Sequence, residues 1–175
     1  SYEYICCLLD HTTQIGPVAK LIKRSLFCNL EWIDRKVTNN EDLYMLICVA
    51  LNSRKQVVIS NDDRFYICND RSGTISSRVM GYDAWKLLFI SIYQQLLRNS
   101  LMQGNTGVAY FNYVTRTLRR MCVERNVNYK DDDFIKLLKG LQNTFSISST
   151  RNLLIVTNHK FRSFYIFINS IRKHI

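Results

Sequence analysis

The run Glu41-Asp42-Leu43-Tyr44-Met45-Leu46-Ile47 returns as Asp132-Asp133-Phe134-Ile135-Lys136-Leu137-Leu138, 91 residues on (132 minus 41). A repeat of that length constrains the chain to two units of one plan. In each copy two acids fill the first turn of a helix, where the peptide dipoles leave positive charge, and apolar residues follow; Asn39 or Asn40 stands ready to cap the first copy. Downstream the order is kept. Val57-Val58-Ile59-Ser60-Asn61 corresponds to Leu154-Ile155-Val156-Thr157-Asn158, and each is followed by an aromatic run, Phe65-Tyr66-Ile67 or Phe164-Tyr165-Ile166.

Short, β-branched runs bounded by turn residues favour strands. Each half therefore reads as a helix, an acid-started helix and a two-stranded hairpin. An amphipathic helix is expected ahead of each: Pro17 to Phe27, with Val18, Leu21, Ile22 and Leu26 on one face, and Val108 to Val123, with Phe111, Val114, Leu118 and Cys122. Helices followed by a hairpin make the winged-helix plan. The expected fold is α+β, two tandem winged-helix units over residues 1–103 and 104–175. The first carries an extra helical insertion, Asp83 to Leu101, with Trp85, Leu88, Phe89, Ile92 and Leu96 apolar. Met102-Gln103-Gly104-Asn105-Thr106-Gly107 is the linker, since two glycines and small polar residues stop a helix.

With 175 residues, 47% hydrophobic and 22% charged, the chain can bury one core or two small ones. Its apolar stretches, such as Leu87 to Ile92, fall far short of the roughly 20 residues that cross a bilayer, and no signal peptide opens it. A soluble, intracellular protein without membrane partners is expected. Cys6, Cys7, Cys28, Cys48, Cys68 and Cys122 lie mostly in apolar runs without a CxxC pair, which fits buried thiols in a reducing compartment better than zinc or disulfides.

The net charge of +10 is unevenly spread. Residues 1–104 hold 12 Lys/Arg against 10 Asp/Glu; residues 105–175 hold 12 against 4. The second half is thus the one that attracts a polyanion or an acidic partner, although a solvated basic face has the same composition.

An enzymatic reading exists. Asp10, Glu41, Asp42, Asp62 and Asp63 resemble the carboxylate layout of PIN-like nucleases, where such groups hold Mg²⁺ and position a water. Against it, only 30 residues (11 to 40) separate Asp10 from Glu41, Asp62-Asp63 has the look of a charged hairpin turn, and the second copy replaces those acids with Asn158-His159-Lys160. His11, His159 and His174 are scattered, and no GxxxxGK or GxGxxG loop occurs. Neither a cofactor, a metal nor a catalytic residue is expected.

A DNA-reading winged helix needs polar side chains on the helix before the hairpin and cations at the wing. Leu43 to Leu51 lacks them and reads as core or protein interface. The second unit supplies Lys136, Lys139, Gln142 and Asn143 on its corresponding helix, His159, Lys160 and Arg162 at its wing, and Arg116, Arg119, Arg120 and Arg125 on the helix before. Arg116, Arg119, Arg120, Lys136, Lys139, Asn143, Lys160 and Arg162 are the candidate contacts, to nucleic acid or to an acidic protein. Trp32, Trp85, Tyr110 and Tyr113 are candidate interface anchors, with core burial expected for both tryptophans.

Two unequal winged-helix units, through EDLYMLICVAL with VVISN and DDFIKLLKGLQ with LIVTN, resemble the C-terminal tandem winged-helix region of the Stn subunits of yeast telomere-capping CST complexes, which are similar to the middle subunit of replication protein A. The resemblance implies a non-enzymatic protein-interaction module in the nucleus at chromosome telomeres, with the other capping subunits and DNA polymerase α–primase as partners. It implies weak contact with single-stranded or duplex DNA at most. A winged-helix DNA- or RNA-binding protein of transcription, replication or a virus is the alternative.

Overall fold

The structure, a computed structural model, describes residues 2–13, 20–53, 80–125, 129, 132–145 and 151–172. These residues form α1 (Tyr2–Asp10), a 3-10 turn (Arg24–Phe27), α2 (Glu41–Asn52), α3 (Tyr82–Arg98), α4 (Gly104–Arg125), α5 (Asp133–Thr144), α6 (Arg151–Thr157) and α7 (His159–Arg172). Among the described residues there is no strand, so the α+β winged-helix expectation is overturned. The first hairpin, with Asp62 and Asp63, lies outside the described residues.

The second hairpin is where the sequence argument fails. Leu154 to Thr157 belongs to α6 and Phe164 to Ile166 to α7. A tight hairpin needs a turn with left-handed residues, yet none of Asn158, His159 and Lys160 has a positive φ. Asn158 instead joins helix to helix: its N–H donates to the Leu154 carbonyl at 2.9 Å, and its Oδ1 accepts the Phe161 N–H at 3.1 Å. Burial also breaks the two-residue alternation of a strand, since Leu153, Ile155 and Val156 are all buried. Strand propensity is mostly a statement about packing context, and here the context is another helix.

The chain divides into two compact units, Ser1–Met102 and Gln103–Ile175. In the first, α1 and α3 both pack on α2. α1 presents Ile5, Leu8 and Leu9 at i, i+3, i+4 spacing, and α3 presents Trp85, Leu88, Phe89, Ile92 and Leu96. Each of these two helices ends in a Schellman motif. His11 takes φ 58 after α1 while the Thr12 N–H reaches the Cys7 carbonyl at 3.0 Å; Ser100 takes φ 57 after α3 while the Leu101 N–H reaches the Leu96 carbonyl at 2.8 Å.

The amphipathic helix expected over Pro17 to Phe27 does not form across its described part: residues 20–27 hold only the four-residue 3-10 turn, and Leu21 is fully exposed. Polar bonds fasten this stretch instead. The Asn52 amide donates to the Leu26 carbonyl at 3.1 Å, and Glu31 accepts from Gln95 at 2.8 Å and from Arg98 at 2.5 Å. Gln95 also donates to the Tyr44 hydroxyl at 3.2 Å, tying α3 to α2.

In the second unit α4 is the central helix, carrying α5 and α6, and α7 packs on α6. Twelve residues of α4 are buried, among them Tyr110, Phe111, Tyr113, Val114, Leu118 and Cys122. The proposed linker is largely absorbed, because α4 already begins at Gly104, whose φ of 62 suits glycine. α5 starts where the acid pattern placed it: the Asp132 carboxylate accepts the Phe134 N–H at 2.8 Å as an N-cap.

Candidate binding surface of the second unit

From residue 134 to 175 the chain holds seven Lys/Arg (Lys136, Lys139, Arg151, Lys160, Arg162, Arg172 and Lys173) and no Asp or Glu. Everything beyond the first residue of α5 is therefore positive or neutral. Its acidic counterweight, Asp132 and Asp133, is spent locally: Asp132 caps α5, and Asp133 pairs with Lys136 at 2.8 Å, one helical turn on.

The candidate contacts separate into three groups. On α4, Arg116 and Arg119 are half-buried and Arg120 is exposed, with Glu124 4.0 Å from Arg120. On α5, Lys136, Lys139 and Asn143 are exposed. Lys139, Gln142 and Asn143 form one wall of an open groove of about 380 Å³ whose other wall is Leu153, Leu154 and Thr157 of α6. An ammonium and two amides facing two leucines can hold a ligand that is polar on one side and apolar on the other.

The third group, Lys160 and Arg162 on α7, does not stay together. Lys160 is exposed, whereas Arg162 is 0% exposed and its guanidinium nitrogens have no hydrogen-bond partner among the described residues. Arg162 is thus not a surface contact in this structure. Its charge is felt by two neighbours. Burial pushes the Cys122 thiol up to about 11, with Arg162 pulling the other way; burial likewise raises the Tyr129 hydroxyl, against the pull of Arg125 and Arg162.

Several residues escaped sequence reasoning. Phe164 and Phe167, 62% and 60% exposed, point outward from α7 although aromatics ordinarily fill cores. Arg151 lies over the Tyr165 ring, 5.0 Å from its centroid, a cation–π contact linking α6 to α7. The absence of acids after Asp133 was the available signal for this region. Among the interface candidates Trp85, Tyr110 and Tyr113 are core residues, while Trp32 is 69% exposed, against the burial expected for both tryptophans.

Of the acids of the nuclease reading, Asp10 closes α1, Glu41 and Asp42 open α2, and Asp62 and Asp63 lie outside the described residues. Among the described residues no three His, Cys, Asp or Glu side chains group so as to hold a metal ion, and no helix is long and apolar enough to cross a membrane. Compared with family models, curated proteins and solved structures, the chain matches none of them.

Proposed function

We propose that this chain is a non-enzymatic docking module whose basic second unit holds an acidic protein partner. The observation that carries the reading is the one-signed charge of residues 134–175 beside a groove that is half polar and half apolar. Charge of one sign steers an oppositely charged surface and speeds its association. The leucine wall adds what a bare phosphate backbone does not use, a place for an apolar side chain. Two of the surface cations, Arg120 and Lys136, already have acids of their own chain beside them, which leaves less charge for a polyanion.

A nucleic-acid reading is favoured by one feature, the three arginines Arg116, Arg119 and Arg120 on one stretch of α4. Placement in a telomere-capping or replication assembly has lost its ground, since the resemblance rested on helix-hairpin order and the second hairpin is helical.

Fluorescence anisotropy separates the two. An acidic peptide carrying leucines is expected to bind at physiological salt and to weaken at least tenfold on Lys139→Glu, whereas labelled single- and double-stranded oligonucleotides are expected to bind weakly and to dissociate as salt rises. Oligonucleotide binding that persists at physiological salt, with a salt slope that falls by about one unit per arginine removed from α4, would replace the protein reading with the nucleic-acid one.

A further inference from the structure

Helix α7 is arranged against the usual rule. None of its apolar side chains from residue 159 to 169 is buried, and the buried position is taken by Arg162. At about 3.6 residues per turn, Lys160, Phe164 and Phe167 fall within about 60° of arc, with Arg162 on the far side. The outward face of α7 is thus a short stripe of one ammonium and two phenyl rings. A single exposed apolar residue is ordinary; two large aromatics aligned one turn apart, on a stretch from 159 to 169 that buries no apolar side chain, mark an interaction face.

We infer that this stripe is a docking site for an acidic amphipathic helix of another protein, whose apolar side chains cover Phe164 and Phe167 and whose carboxylate pairs with Lys160. The inference rests on the reading of the second unit as the partner-binding half and adds, besides the α5/α6 groove, a second contact face and the partner's form. Charge chooses the occupant. A second copy of this chain would bring another unit with no acid after residue 133 against the first, a like-charge contact. A nucleic acid could stack on the rings, but this face offers one lysine, with His159 beside it, too little to hold a phosphate backbone. A helix with leucines at i, i+3 and i+4 and glutamates flanking them matches both the rings and the ammonium.

Large aromatics near the centre of an interface carry most of its affinity. The test uses the full chain and a fluorescein-labelled synthetic helix of leucine and glutamate at heptad spacing. The controls are the same residues in scrambled order and a labelled single-stranded oligonucleotide. The patterned peptide is expected to bind and the scrambled one to bind at least tenfold more weakly. Phe164→Ser with Phe167→Ser should cost at least tenfold in affinity, with helical circular dichroism retained because both rings are largely exposed. Undiminished binding by that double variant, together with loss on Lys139→Glu, would overturn the α7 site and leave the acidic-partner reading standing, with the α5/α6 groove as its seat. Binding of the oligonucleotide but neither peptide would overturn both. Dimerisation of the wild-type chain in sedimentation, abolished by the same double variant, would give the face to a second copy and overturn the inference.

Discussion

Helices α2 and α5 begin with the same signal and end in different surroundings. α2 buries seven of its twelve residues, Leu43, Tyr44, Leu46, Ile47, Cys48, Val49 and Ala50; α5, also twelve residues long, buries Phe134, Ile135 and Leu138. Two positions show the change of character, Cys48, which is buried in α2, and Met45, which is half-buried there. Shifted by 91, Met45 and Cys48 of α2 become Lys136 and Lys139 of α5. A helix apolar all round becomes the centre of its unit, and one with lysines on a face keeps that face in water. The repeated start specifies a helix; the residues after it decide whether the helix is core or surface.

Exchanging those residues is the sharpest way to break the comparison. Cys48→Lys would place an ammonium where only 5% of the side chain is exposed, beside Tyr44, and is expected to cost several kcal/mol, on the order of 3–5. Lys139→Cys is expected to stay within about 0.5 kcal/mol. Urea midpoints of the two variants measure the difference. Equal, small shifts would mean that α2 is not the centre of its unit.

Arg162 gives the next largest effect, and of opposite sign. A buried cation costs several kcal/mol when unpaired, Arg162 has no hydrogen-bond partner among the described residues, and replacing buried ionic groups by apolar ones of similar volume is neutral or stabilising by about 1–4 kcal/mol. Arg162→Met is therefore expected to raise the thermal midpoint. It has a second readout. Cys122 stands at about 11 by burial, with Arg162 lowering it, so removal of the guanidinium should move the pH profile of Cys122 alkylation further upward. The raised value also fixes the sign of the stability dependence. A thiol that ionises less readily folded than unfolded contributes stability present below the ordinary value of 9 and lost as pH rises toward 11. A lower midpoint for Arg162→Met would show that the guanidinium has a native partner.

The contrast between α2 and α5 also shows what was legible. Both acid-started helices, the helix over Val108 to Val123 and the apolar face of α3 follow from caps, dipole and 3.6-residue periodicity, which are local. The α6–α7 segment was not legible as helix, because LLIVT and FYI carry strand propensity and only the packing of α6 on α4 resolves it. Of the candidate contacts, Lys139 and Asn143 meet in one groove because i, i+4 spacing on a helix guarantees a shared face. Arg162 could not be told from Lys160 by spacing, since the difference is which side of α7 is buried.

The two helix starts offer the smallest test. Asp132 accepts the Phe134 N–H at 2.8 Å, and its replacement by alanine is expected to cost about 1 kcal/mol. Asn40, the residue before α2, makes no side-chain cap bond and takes φ 61, a left-handed conformation that glycine adopts without strain. Asn40→Gly is thus expected to be neutral or to stabilise by less than about 1 kcal/mol, the relief of the left-handed strain being offset by glycine's greater freedom in the unfolded chain. Thermal unfolding followed by circular dichroism compares the two variants directly. A cost for Asn40→Gly as large as that for Asp132→Ala would mean that both copies are capped through their side chains, and that α2 and α5 differ only after their first turn.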